Sequence, residues 1–436
     1  MSASLPEQEA VEAGGQKPSG RLRRTFSALH YHDFRLVWIG AFTSTTGTWM
    51  QTVAQAWVVY SLTNSALRLG LDAFLSTGPM LVFSLFGGVI ADRIDRRKIM
   101  IASQVLQMTF AFVLALLLFT HRVKIWHIFV LSFLTGSAQS FSGPAYASLL
   151  PLLVRREDVA NAIAMNSMQF NLARMIGPIL GGLALTAWGA SACFGLNGLS
   201  FVAVIIAYLM IRTPVIVGGS ERKGMMADMK EGVAFVAGRR GLVLLTFLAF
   251  VGTFLGMPIV TFLPVVAKVL FAAGPTAYTY LLSAYGVGSV VGALFVAASS
   301  HLPNKGKIAL LLQLAFAALL IAFAVSRFFP ASLLIAFGAG ACIVGVISLY
   351  SSLVQLMIGD SMRGRVMSIF MLAFRGGMPL GNLLAGFVAQ RWSISIALLV
   401  NGIILALVAL AFILRRTDLD AGLADPVPAT RRTLFA

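Results

Sequence analysis

Three charged residues stand inside long apolar stretches, and their rarity makes them the first chemistry to weigh: Asp72, Arg174 and Arg375. An ionisable group within a membrane span is costly and is a functional candidate by default. Asp72 is the one acidic residue inside such a stretch, which makes it the candidate to bind a coupling proton. Pairing with Arg68, four residues earlier, is the alternative. Arg174 and Arg375 are each followed four residues later by proline, Pro178 and Pro379, and Ser167 and Ser368 share their offset of 201. Guanidinium groups so placed either take an anionic group of a substrate or bond carbonyls freed near the prolines.

Polar residues recur at helical spacing in three other stretches. Ser44, Thr48, Gln51 and Gln55 share one helix face, as do Ser132, Thr135, Gln139, Ser142 and Tyr146, and a shorter stripe joins Ser348, Ser351 and Gln355. Such faces line a solute pathway or bond to neighbouring helices. A further stretch offers Thr253 and Thr261 beside Phe254, Met257, Pro258 and Phe262, an aromatic wall suited to an amphipathic organic molecule. No catalytic constellation accompanies these groups. His30 and His32 precede the first stretch, His121 and His127 flank an outer loop and His301 is in a turn, none with a nucleophile or metal partner in its segment, and Cys193 and Cys342 are isolated in apolar runs. The expectation is a non-enzyme with no cofactor and no metal.

The elements that must position these residues follow from composition. Of 436 residues, 58% are hydrophobic and only 11% charged, and the mean hydropathy is +0.87. A soluble surface needs far more charge, so an integral membrane protein is expected. Twelve apolar stretches are long enough to span, at about 36–61, 69–91, 99–119, 125–150, 161–188, 191–211, 241–268, 277–299, 307–326, 331–357, 365–390 and 394–414. With twelve spans, 25 of the 33 basic residues fall on the side of the two termini and six on the other, so both termini are expected to be cytoplasmic. The net charge of +17 therefore reports topology, and nucleic acid is not an expected partner.

The longest hydrophilic interruption, Arg212 to Arg240, divides the chain six plus six. This gives a polar tail over 1–33 expected to be disordered, one bundle over 34–211, a linker over 212–240, a second bundle over 241–414 and a tail over 415–436. The linker segment from Asp228 reads either as a short surface helix or as unstructured chain. Internal repeats with a site at their interface are a common plan of secondary transporters.

Two motifs carry a family resemblance. Gly88-Val-Ile-Ala-Asp92-Arg93-Ile-Asp95-Arg96-Arg97-Lys98, at the turn between the second and third stretches, resembles motif A of the major facilitator superfamily. Asp95 stands where that motif usually has glycine, so an Asx-type bond is expected to hold the turn. Gly88 and Asp92 share a helix face, which would place the carboxylate at the end of a partner helix, near Arg363 or Arg365 if the partner is span eleven. Such a contact would latch the halves; anchoring of topology is the alternative. Gly177-Pro178-Ile-Leu-Gly181-Gly182 resembles the exporter-type motif C, with Ala173 in place of an upstream glycine. The fourth stretch has Gln139 but lacks the family's membrane arginine. Segments such as Leu150-Pro-Leu-Leu-Val-Arg-Arg-Glu-Asp-Val-Ala-Asn-Ala are similar to the branch containing enterobactin and macrolide exporters.

The resemblance implies an all-α membrane protein of two six-helix bundles. It also implies a secondary transporter that works by alternating access, and a proton-coupled exporter of an amphipathic small molecule in the bacterial plasma membrane. Helices one, four, seven and ten would line the cavity, which assigns Thr48, Gln51, Gln55, Gln139 and Gln355 to the pathway together with Arg174 and Arg375. Uptake of a nutrient or lipid, or a non-transporting receptor, are the competing readings. Expected partners are the substrate, a coupling proton and the lipid bilayer, with the chain acting as a monomer.

Overall fold

A computed structural model describes residues 26–83, 94–213, 225–298, 304–359 and 362–415. It is helical almost throughout, as a hydrocarbon surrounding demands, because a helix satisfies its own backbone groups. The helices are α1 (His32–Thr63), α2 (Ala66–Thr77, continuing as helix to Phe83), α3 (Arg96–Phe119), α4 (Ile125–Leu149), α5 (Val159–Met210), α6 (Met225–Ala237) and α7 (Arg240–Gly256). They continue with α8 (Pro275–Ala298), α9 (Lys305–Val325), α10 (Phe329–Leu356), α11 (Arg363–Arg391) and α12 (Ile394–Leu414). Side-chain caps start several of them: Ser65 accepts from the Arg68 amide, Asp95 from Arg97 and Ser393 from Ile396. The Asp95 bond, 2.8 Å long, is the one expected where the motif lacks its glycine.

The 52 residues of α5 are two helical arms that meet at Gly189, whose φ of +81° is a backbone state that glycine adopts without strain. Gly177 and Gly181 of the first arm lie against Trp49 and Met50, in step with α1, whereas Val204 and Ala207 of the second arm lie back against Gly40. The chain therefore doubles back at Gly189, and α5 crosses the layer twice. Among the described residues nine helical segments are long and apolar enough to cross a membrane, the α5 run counting as one of them. The 32-residue α1 and the 25-residue α4 have the length but not the apolarity, because their polar stripes lower it. After Gly256, α7 gives way to short turns that begin at Pro258 and around Pro264, as expected where prolines remove donors.

Three buried apolar clusters organise the packing. One draws on both halves: Met50, Tyr60 and Leu69 from the first join Phe262, Tyr278 and Phe323 from the second. The other two are confined to single halves, one around Phe34, Leu149, Phe201 and Tyr208, the other around Leu242, Leu310, Tyr350 and Phe370. The shared cluster sits at the end away from the arginine-rich turns, hereafter the far end. The separate clusters sit at the basic end.

Polar ties close each half at the basic end. Arg97 donates to the carbonyls of Leu209 and Ile211, capping the end of α5. Asp33 accepts from the amides of Arg212 (3.0 Å) and Thr213 (2.8 Å) and from the Thr213 hydroxyl (2.6 Å). A short helix at Ser27–His30 precedes α1, so ordered chain begins earlier than the boundary at residue 34. Ser27 and Tyr31 both donate to Asp158 at 2.6 Å. These two bonds hold the Asp158 carboxyl below the usual carboxylate range. The linker reads as helix from Met225 to Ala237, docked on α11 through an Arg365–Glu231 ion pair of 2.9 Å.

Burial alone would push the Asp33 carboxyl up, but bonds from Thr213, His32 and Arg212 outweigh it and hold it down at about 2. Because an unfolded aspartate titrates near ~4, this clasp stabilises the fold fully above that pH and is lost as the pH falls toward the folded value. Replacing Asp33 by alanine is expected to lower the melting midpoint in detergent by roughly 2–4 °C at neutral pH. The difference from the unmodified chain should shrink in acid, read by tryptophan-fluorescence melting across pH.

Candidate functional site

Asp72 is 5% exposed and sits where α1, α2 and α4 meet. Its two oxygens are taken by different helices. Gln55 Nε2 of α1 donates to Oδ2 at 2.8 Å, and the Ser132 hydroxyl of α4 donates to Oδ1 at 2.6 Å. Gln55 Nε2 also lies 2.9 Å from the Ser132 hydroxyl, which closes a three-residue network. The alternative of an Arg68 pair is not realised: the carboxylate's partners are two neutral donors. A buried carboxylate held this way can exchange a proton with no cation to release, a chemistry suited to proton binding.

The halves meet along two seams. In one, the first arm of α5 faces α8; in the other, α2 faces α11. Each seam is shut at the far end by backbone-close packing. A Cβ added at Gly182 would fall on the Thr279 side chain, and one added at Gly70 would overlap the Asn382 carbonyl and lie 3.3 Å from the Gly386 Cα. Two further contacts join the halves there. Lys268 Nζ donates to Asn64 at 2.8 Å, and Trp57 stacks on Tyr278 with ring centroids 6.3 Å apart.

Each seam also carries one of the two interior arginines. Arg174 lies eight residues from Gly182 toward the basic end, about 12 Å along the helix. Its guanidinium is 5.8 Å from the centroid of Trp49. Tyr285 of α8, in the other half, is buried. Arg375 lies seven residues from Asn382 in the same direction and reaches the Met80 sulfur of α2 at 3.4 Å, across the seam.

The other sequence candidates divide between bonding and pathway. Gln51 accepts from Asn197 of α5 at 2.6 Å, a bond between helices, whereas Thr48 bonds back to the Ser44 carbonyl of its own helix at 2.9 Å. The motif-C glycines pack on α1: a Cβ at Gly177 would stand 2.9 Å from the Thr46 carbonyl, and one at Gly181 would stand 2.8 Å from the Met50 Cα. Pro178 is buried between them. Gln139 is exposed on α4. Gln355 lies in a cavity of about 600 Å³ at the basic end, with Ser348, Ser351, Arg363 and Met371, and bonds Ser351 at 3.3 Å. Of the motif-A residues, Asp95 caps α3 from its N-terminal side and Arg96 opens that helix, whereas Gly88, Asp92 and Arg93 lie outside the described residues. Among the described residues no cluster could hold a metal ion.

Three polar residues went unremarked in the sequence. Asn197 pairs with Gln51. Asn382, fully buried, and Tyr285, 3% exposed, present side-chain groups with no hydrogen-bond partner, both on the seams. Asn382 had a legible signal, since it falls seven residues after Arg375 on the same helix face. Tyr285 had none, being one tyrosine in a run of small residues.

Comparison with known proteins agrees in family and fold. A family model described as a transmembrane secretion effector matches residues 23–430. Macrolide efflux protein A of Streptococcus pyogenes is 24% identical over 386 residues, covering 86% of this chain and 94% of that protein. Multidrug efflux pump Tap of Mycolicibacterium fortuitum is 26% identical over 406 residues, covering 88% and 96%. Among solved structures, a bacterial homolog to the human lysosomal transporter Spinster, inward-facing and occupied, aligns with a TM-score of 0.70. That match has 13% identity and covers 94% of this chain and 99% of that one.

The two glycine contacts generate a steric prediction. In a background with Cys193 and Cys342 replaced by alanine, Gly182→Leu should wedge the α5–α8 seam apart at the far end. A cysteine introduced at the buried Ala66 would then be labelled several-fold faster by a membrane-impermeant maleimide applied from that side. Unchanged labelling would show that the glycine contact does not hold the far end shut.

Proposed function

The chain belongs to the transmembrane secretion effector family of the major facilitator superfamily, and on that premise we propose that it is a proton-coupled secondary transporter that exports amphipathic small organic molecules by alternating access. In this reading the protein has twelve spans, works as a monomer in the bacterial plasma membrane and keeps both termini in the cytoplasm. The basic end is then the cytoplasmic end, and the structure is an inward-facing state.

The observation that carries the reading is the division of the buried clusters. One cluster fuses the two halves at the far end, while each half keeps its own core at the basic end. Two rigid halves joined at one end can rock about a site between them, because packed interfaces tend to be bistable and not continuously deformable. Motif A, with Asp92 near the ends of α11, would latch the opposite state, and the glycines of motif C would let α5 shift against α1.

Asp72, Gln55 and Ser132 form the coupling site in this account. Proton binding at Asp72 removes the charge that Gln55 and Ser132 satisfy, which loosens the tie among α1, α2 and α4 within the first half. The cavity beside Gln355 and the exposed Gln139 supply polar wall, while Phe254 supplies apolar wall. An amphipathic cargo matches both. The named relatives, a macrolide efflux protein and a multidrug efflux pump, support the outward direction and the cargo class.

Everted vesicles with an acid interior are expected to accumulate a radiolabelled macrolide or a hydrophobic dye, and to lose the accumulation on adding a protonophore. Asp72→Asn should abolish gradient-driven accumulation while leaving substrate exchange across the membrane measurable. Accumulation confined to right-side-out vesicles, or persisting after both pH gradient and membrane potential collapse, would overturn the reading.

A further inference from the structure

Arg174 and Arg375 are matched across the two halves in more than sequence offset. Each stands in mid-helix, on the basic side of the glycine contact that shuts its seam, and Arg375 reaches across to the facing helix of the other half. Among the described residues neither guanidinium meets a carboxylate: Arg174 faces the Trp49 ring and Arg375 the Met80 sulfur. The sequence offers no internal counter-ion, because Asp72, the one acidic residue in a span, is already bound by Gln55 and Ser132. A cation left without an anion inside the membrane is expensive, and its retention at two equivalent positions calls for an anion that arrives with the cargo.

The surroundings say more about that anion. Trp49 gives Arg174 an aromatic face, which favours a planar ring beside the acid group. The Tyr285 hydroxyl of α8 is buried and has no hydrogen-bond partner, so a donor is available for an acid oxygen. Guanidinium groups bind the two oxygens of a carboxylate in one plane, which suits an organic acid better than a neutral amphipath. The Met80 sulfur beside Arg375 offers a polarisable apolar contact for the body of the same molecule.

We propose that Arg174 and Arg375 form a two-part anion site on the seams, and that the transported molecules include aromatic organic acids whose carboxylate these arginines hold. This rests on the transport reading and adds the charge of the cargo to it. While the far end is shut, both arginines lie on the basic-end side of the closure, so in this proposal an acid is captured from the basic end. When the seams reopen at the far end, the same two groups become accessible from the other side. The site is thereby shared between the two states.

The test uses the full-length chain in nanodiscs and two probes of the same shape, radiolabelled naphthoate and its neutral counterpart naphthamide. Naphthoate should bind at least about tenfold more tightly than naphthamide, the effect of one or two charge-assisted bonds. Arg174→Gln and Arg375→Gln should each weaken naphthoate by about tenfold and leave naphthamide unchanged, with Arg174→Lys retaining part of the preference because it keeps the charge but not the planar fork. Tyr285→Phe should give a smaller, naphthoate-selective loss. Equal affinity for the two probes, equal loss of both in the glutamine variants, or binding of neither probe would overturn the proposal. A chain that moves neutral dyes under a gradient but ignores the acid keeps the transport reading and loses this one. A chain that selects naphthoate without any driven flux does the reverse.

Discussion

The two halves touch through glycines at one end, and the rest of the structure is arranged around that contact. Helices can approach so closely only where one of them lacks a side chain, at Gly182, which takes the Thr279 side chain, and at Gly70, which meets the backbone of Asn382 and Gly386. Lipid offers no hydrophobic force to press helices together, so close dispersion contact and interhelical bonds must do it. The shared cluster, the Trp57–Tyr278 stack and the Lys268–Asn64 bond all gather at the same end. At the basic end each half is closed on itself instead, by Arg97 on the end of α5, by Asp33 on the segment after it and by Arg365 on the linker helix. Strength within halves and a joint at one end between them is the mechanical requirement for rocking.

Against that frame the interior charges separate cleanly. Burying an ion costs several kcal/mol unless its hydrogen-bonding capacity is met. Asp72 meets the condition inside one half, through bonds to both of its oxygens from two other helices. The arginines stand outside that condition, Arg174 being half-buried and Arg375 exposed. They stand on the seams, so their environment changes whenever the halves move, whereas that of Asp72 changes only if its own half loosens. A carboxylate within a bundle and cations between bundles thus occupy places suited to different tasks, the first to a proton and the second to cargo.

Much of the fold was legible from hydrophobic length and the loop charges, because those properties are set by the solvent around each helix. The break at Gly189 and the Asp95 cap followed from the conformational habits of single residues, whereas the stops near Pro258 and Pro264 fall inside the stretch read as one span over 241–268. The order of residues 27–33 was not legible, since it comes from Asp158 and Thr213, far away in sequence. For the site, spacing raised Gln55 and Ser132 and rarity raised Asp72, but neither could tell that the three meet, nor that Gln51 on the same stripe is occupied by Asn197. Periodicity locates a face. It does not say which neighbour the face meets, and an isolated polar residue such as Tyr285 leaves no periodic trace at all.

The central claim is that the halves rock as rigid bodies about the far-end contact. Its most direct test is double electron–electron resonance on two spin-labelled pairs of exposed positions, Thr186 with Thr276 at the far end and Leu152 with Leu356 at the basic end. The full-length chain would be compared in acidic and alkaline buffers. The account predicts reciprocal change, the far-end pair lengthening as the basic-end pair shortens, with distances inside each half constant. Distances that stay fixed in both pairs, or that lengthen together, would contradict it.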